Sequence, residues 1–162
     1  MAQYSIGVQV AWQVGGYEAA NKKSTEIEVD HIMLGILSLD KIQDLTENQS
    51  KKNLEGLIKE KETLYAILIS NNIEITTTRR KLRLMLPEGI TQHVDSVLHR
   101  SEECKKMFNE AACIGNNFLK ISHLFITILG WQTSIARNLF ISENIDIERL
   151  KSEIMFSFYR KN

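Results

Sequence analysis

The sequence is poor in the residues that usually announce a chemistry. It has one proline, two cysteines and 7% aromatic side chains, and its 20 basic residues are matched by 20 acidic ones. The thiols, Cys104 and Cys113, make no disulfide framework. On one helix they would face opposite sides, roughly 13 Å apart along the axis, so two buried, reduced thiols are expected. A net charge of zero gives no global reason to expect a nucleic-acid or anionic-membrane partner. The longest apolar stretches, Ile32 to Leu37 and Leu124 to Leu129, fall far short of the roughly 20 residues that span a bilayer. Met1-Ala2-Gln3-Tyr4-Ser5 lacks the basic-then-apolar order of a secretory signal, so a cytoplasmic location is expected. No Gly-x-x-x-x-Gly-Lys-Ser/Thr phosphate loop occurs, and no cofactor is expected. What remains is an ordinary globular composition, 162 residues with 43% hydrophobic and 25% charged. That is enough for one domain, or two small subdomains sharing a core, without a disulfide or metal.

Comparing the chain with itself is more informative. Glu18-Ala19-Ala20 followed by His31 recurs as Glu110-Ala111-Ala112 followed by His123, at a constant offset of 92. The apolar pattern around each histidine recurs with it: Ile27, Val29, Ile32 and Ile36 against Leu119, Ile121, Leu124 and Ile128. Further on, Ile69-Ser70-Asn71-Asn72-Ile73-Glu74-Ile75 matches Ile141-Ser142-Glu143-Asn144-Ile145-Asp146-Ile147 at an offset of 72. The two offsets differ by 20 residues, an excess in the first copy over about 40–62. The chain reads as a tandem duplication.

Within each copy the spacing is helical. Val94, Val97, Leu98, Ser101, Cys104, Phe108, Ala111 and Ala112 predict one long helix, and Ile6, Val10, Val14 and Tyr17 predict its counterpart. Asp30 and Ser122 precede apolar runs and are expected to cap them. Leu54, Leu57, Ile58, Leu64, Tyr65 and Leu68 predict a lengthened helix after a polar loop near 46–50. Ile147, Leu150 and Ile154 close the second copy, as Ile75, Leu82 and Met85 close the first. Pro87 disfavours helix at Leu86 and marks the seam. Each copy thus reads as four helices that cannot bury their stripes alone.

These residues resemble a known family. An Ala-rich helix, an apolar approach to histidine, a Leu/Ile-rich helix and an Asn-Ile-Asp turn, all given twice, are similar to the double Clp-N domain. That is the amino-terminal domain of the Hsp100/Clp AAA+ unfoldases of the ClpA, ClpB and ClpC types. The likeness runs over Ser5 to Leu37, Leu64 to Leu82 and Val97 to Ile154, with His31-Ile32-Met33-Leu34-Gly35-Ile36-Leu37 nearest the family's His-Leu-Leu-Leu-x-Leu-Leu. It implies an all-α fold in which two four-helix Clp-N motifs pack about a pseudo-twofold as one domain over 1–162. Repeat 1 would cover 1–86, the linker 86–90 and repeat 2 91–162. It further implies a non-enzymatic domain that collects unfolded or tagged polypeptides or adaptor proteins for an AAA+ Clp ring, in cis or in trans. ATP hydrolysis would reside in modules outside this sequence. A free-standing regulator or homodimeric interaction protein acting through 40–62 is the alternative.

Candidate residues follow. His31 and His123 have no Cys, Asp or Glu at i+4 to complete a chelate and are expected to satisfy backbone groups in the first helical turn, not to bind metal. His93 and His99 are expected to be solvated, and no pair of nucleophile and base marks a hydrolase. Glu55, Glu60 and Glu62 are expected on an exposed, lysine-rich face. Arg79-Arg80-Lys81-Leu82-Arg83 is the one basic cluster, expected as a solvated helix end favoured by the dipole. Gly15-Gly16 inside a helix suggests close helix approach, and Trp12 and Trp131 are core or partly exposed anchors. In the family members that read phosphoarginine, an acid before the histidine and a hydroxyl at the start of the first helix hold the ligand. The resemblance therefore implies Asp30 and Ser5 as partner-binding residues, with Ser122 and Val97 at the matching places in the second copy.

Overall fold

A computed structural model describes residues 1–41, 50–92 and 97–160. The chain runs β1 (Gln3–Tyr4), α1 (Ile6–Asn21), α2 (Val29–Ile36), a 3-10 turn at Leu39–Lys41, α3 (Lys51–Ser70), α4 (Ile75–Met85), α5 (Glu102–Ile114), β2 (Phe118–Leu119), α6 (Ile121–Gly130), α7 (Ile135–Ser142) and α8 (Ile147–Tyr159). Among the described residues, four α-helices therefore stand on each side of the Leu86–Pro87 break, where Leu86 turns extended at φ −67°, ψ 135°. The fold is all-α, a tandem pair of four-helix motifs. Helices α2 and α6 lie at its centre, α2 buried along its whole length and α6 from Ile121 to Leu129, in one core drawn from both repeats. Among the described residues no single helix is long and apolar enough to cross a membrane.

The seven-residue repeat is a helix-to-helix corner built twice. Asn72 and Asn144 both take left-handed backbone, φ 60° and 59°. Both are followed by an amide that reaches back to the previous helix, Ile73 N–H to Leu68 O and Ile145 N–H to Phe140 O, each 3.0 Å. Asparagine tolerates this conformation at a helix C-terminus better than most residues. Two residues on, the carboxylate of Glu74 accepts from Thr76 and Thr77 N–H and that of Asp146 from Arg149 N–H, capping α4 and α8.

The opening helices of the two repeats align differently from expectation. Ser5 and Ser101 are both N-caps with φ −60°, ψ 161°, and their hydroxyls accept from Val8 and Cys104 N–H. Ser101, not Val97, therefore stands opposite Ser5, and α5 starts at Glu102; Val94 and His93 lie outside the described residues. Residues before Ser101 are held extended because repeat 1 engages their backbone: Ile27 N–H donates to His99 O at 2.8 Å and Ser101 N–H to Ile27 O at 3.1 Å. The mirror contact is β1 on β2, where Ser5 N–H donates to Leu119 O at 2.9 Å. Each repeat thus lends its leading segment to the other. A second reciprocal contact, 72 residues out of phase, joins Asn71 to Glu153 and Glu143 to Lys81.

On α1 the buried face is Gly7, Val8, Val10, Ala11, Gly15, Glu18 and Ala19, whereas Tyr17 is 54% exposed. The expected stripe is displaced because α2 packs against the small residues. A Cβ at Gly35 would lie 2.0 Å from the Ala11 carbonyl oxygen, and one at Gly15 2.9 Å from that of His31. Close approach thus explains Gly15, while Gly16 meets only Ile27 at 3.5 Å. The outer ends of the predicted stripes on α3 and α4, Ile58 and Met85, are also exposed.

Three cations of the basic cluster are engaged rather than solvated, a second correction. Arg79, 7% exposed, donates to Leu37 O at 3.4 Å and to the Asp40 carboxylate at 3.3 Å. Arg83 donates to both carboxylate oxygens of Glu18 through Nε and Nη2, one edge of its guanidinium, and Lys81 pairs with Glu143. Arg80 alone of the cluster stays exposed without an ion pair among the described residues. The thiols also differ: Cys104 is buried, its pKa pushed up to about 12 by desolvation, but Cys113 is exposed. His99, Glu55 and Glu62 are exposed as expected, and both tryptophans are partly buried.

Candidate functional site

The central helices begin with a shared device. The Nδ1 of His31 accepts the Glu28 N–H at 2.9 Å, and that of His123 accepts the Lys120 N–H at 3.1 Å. Each histidine thus ties off the first turn from the third helical position, a variant of the capping box. Burial lowers the pKa of both; for His123 the nearby Lys120 adds to it and brings the value to about 4. Both rings are neutral near pH 7, with Nδ1 spent on the backbone. Among the described residues no group of three or more His, Cys, Asp or Glu could hold a metal.

This device moves the caps. Glu28 and Lys120 are the N-cap residues of α2 and α6, so Asp30 and Ser122 lie inside the first turn and do not cap these helices. Asp30 instead reaches across to repeat 2. Its carboxylate accepts from the Ser134 hydroxyl at 2.8 Å and from Ile135 and Ala136 N–H at 2.9 Å each, at the start of α7. It is a cap, but of a helix more than a hundred residues away in sequence. Charge-assisted bonds of this kind to free helical amides are among the stronger hydrogen bonds available.

Two clefts flank these turns, one at each junction between repeats. The larger, about 380 Å³, lies between the N-termini of α1 and α6, one face of α3 and the end of α8; Ser5, Glu60, Lys59, Lys120, His123 and Phe158 line it. The smaller, about 200 Å³, lies where α2 meets α5 and α7, with Glu28, Asp30, Glu103 and His31 in its wall. Ser5 and Asp30 are thus not brought together. Because the repeats exchange their leading segments, Ser5 sits with Ser122 and His123, while Asp30 shares its cleft with Glu28, which accepts the Ser101 hydroxyl at 2.8 Å.

Glu60 is the residue that sequence reading placed wrongly. It is half-buried, and one carboxylate oxygen accepts from the Ser5 hydroxyl at 2.9 Å and from Ile121 N–H, the first amide of α6, at 2.6 Å. In the smaller cleft the cap acid Glu28 takes the equivalent serine hydroxyl. In the larger one the cap position holds Lys120, and the extended α3 delivers the missing carboxylate from outside. The periodicity places Ser101 inside a helix from Val94, although a serine two residues before Glu103 is a signal that could have marked it as a cap; nothing local marks Glu60.

No protein-family model and no curated protein sequence matches the chain. Solved structures do: its architecture, two exchanged helical repeats around paired central helices, is a Clp-N-type fold. The N-terminal domain of Hsp104 from Candida albicans superimposes with a TM-score of 0.67, covering 94% of this chain and 89% of that one at 9% sequence identity.

Proposed function

We propose that residues 1–162 form one polypeptide-recognition domain of the Clp/Hsp100 kind, with repeats over 1–86 and 91–162. It would pass unfolded or tagged chains, or an adaptor carrying them, to an AAA+ ring in cis or in trans. The observation that carries this is the full-length likeness to an Hsp104 N-terminal domain. The side chains also favour binding over turnover: His31 and His123 hold backbone amides, and Asp30 and Glu60 hold helix starts. In this reading the partner-binding residues implied by the resemblance border separate clefts, Ser5 the larger and Asp30 the smaller, each already hydrogen-bonded within the fold. Titration with a denatured polypeptide and with the cognate ring tests it; binding to at least one is expected, and contact with neither removes the proposal. The alternative, self-association through 40–62, draws support from Ile58, 41% exposed on the added part of α3. If it holds, Ile58→Asp converts a dimer to a monomer in sedimentation.

A further inference from the structure

The larger cleft does not end at α1. Along α3, Gly56, Lys59, Glu60, Thr63 and Ile67 fall at i, i+3, i+4, i+7 and i+11, one face over about three turns, roughly 16 Å. Opposite it runs the last part of α8, and Ser157 borders both the larger cleft and a second hollow of about 480 Å³ between Ile67, Phe156 and Arg160. The two make one groove. Its floor is aromatic and partly open, with Phe118 44% and Phe156 59% exposed.

Its charges are unbalanced. Lys59, Lys120 and Arg160 line the groove, and none has an ion-pair partner among the described residues. Lys120 and Arg160 rest over Phe118 and Phe156, 5.9 and 5.0 Å from the ring centroids. The acids that line it are already committed. Glu60 holds Ser5 and Ile121, and Glu153 holds Asn71 at 2.7 Å and Arg149 at 2.9 Å. Among the described residues the smaller cleft is lined by no lysine or arginine, and its acids are likewise engaged.

We infer that the α3–α8 groove binds polypeptide segments in which acidic side chains flank an aromatic or large apolar residue. The cations receive the carboxylates and Phe118, Phe156 and Phe158 receive the apolar group. This rests on the recognition function proposed above and adds the substrate class. Exposed charge pairs contribute modestly one by one, so selectivity comes from three cations acting together and weakens with salt.

The test is fluorescence anisotropy with three labelled peptides built around one phenylalanine, their flanking residues Glu, Gln or Lys, against the full chain. The Glu peptide is expected to bind tightest. The double variant Lys59→Glu/Lys120→Glu, with its fold checked by circular dichroism, should bind that peptide about tenfold more weakly and the Lys peptide more tightly than the parent does. Arg80→Glu, a charge reversal outside the groove, should change nothing. Equal affinity for all three peptides, or a double variant indistinguishable from the parent, overturns the charge selection while leaving polypeptide recognition standing. Binding of none overturns both. Concentration-dependent self-association that the double variant abolishes would show a second copy to be the occupant and would overturn the inference too.

Discussion

The two clefts occupy equivalent places in the two repeats, yet they are opposites in charge. The smaller is walled by Glu28, Asp30 and Glu103, the larger by Lys59 and Lys120 around the inward-turned Glu60. The added length of α3 accounts for the difference. Helix α7 begins at Ile135, and its free amides ask for an acid, which Asp30 supplies. The matching point on α3 is near Thr63, in mid-helix, because α3 continues back to Lys51 and its amides there are already paired. An acid at position 122 would find no free helix amides there, and serine stands in its place. The same extra turns carry Glu60 to the start of α6, where the cap position no longer provides a carboxylate. The greater length of α3 thus accounts both for the lack of need for an acid at one site and for the carboxylate supplied at the other.

The sharpest way to break the comparison is to exchange the acids. Asp30→Ser strands a buried hydroxyl and two amides of α7, and a loss of about 2–4 kcal/mol in urea unfolding is expected. Glu60→Ala leaves Ser5 and Ile121 without their acceptor in a more open setting; about 1–2 kcal/mol is expected, much of it recovered by Glu60→Gln. Ser122→Asp should change stability by less than about 1 kcal/mol, because no helix start awaits it and only the exposed Lys59 and Lys120 can answer it; a gain as large as the loss at Asp30→Ser would refute the account of the insertion.

The histidines give the comparison a pH axis. Both are depressed below the ordinary value of 6.5, His123 to about 4. The unfolded chain therefore binds protons first, so their contribution is fully present above about pH 6.5 and is lost as pH falls toward the folded values. The urea midpoint should drop between pH 7 and pH 5. His123→Gln should flatten that drop, and His31→Gln should do so less, because Asp30 and Glu18 partly offset the effect of burial at His31.

Much of the architecture was legible because it is local. The duplicated corner at 69–75 and 141–147 carries its own caps, the histidines answer to amides three residues away, and Pro87 stops α4. What escaped was whatever one repeat does for the other. The periodicity that ran α5 back to Val94 could not register that Ile27 holds His99 and Ser101 extended. Asp30 was readable as a cap, but its target lies in α7, and Arg79 and Arg83 look solvated until α1 and the turn after α2 fold against them. Spacing along a chain reports which face a residue occupies; it says nothing of what the opposite repeat brings to that face.

The exchanged leading segments carry one more consequence. Because β1 is stitched to β2 and Ile27 to Arg100, the covalent tie at Pro87–Glu88 should be dispensable for cohesion once folding is complete. Nicking that exposed peptide bond should leave a two-piece protein that elutes as one. The halves produced separately should be unstructured alone and reconstitute on mixing, as complementing fragments do.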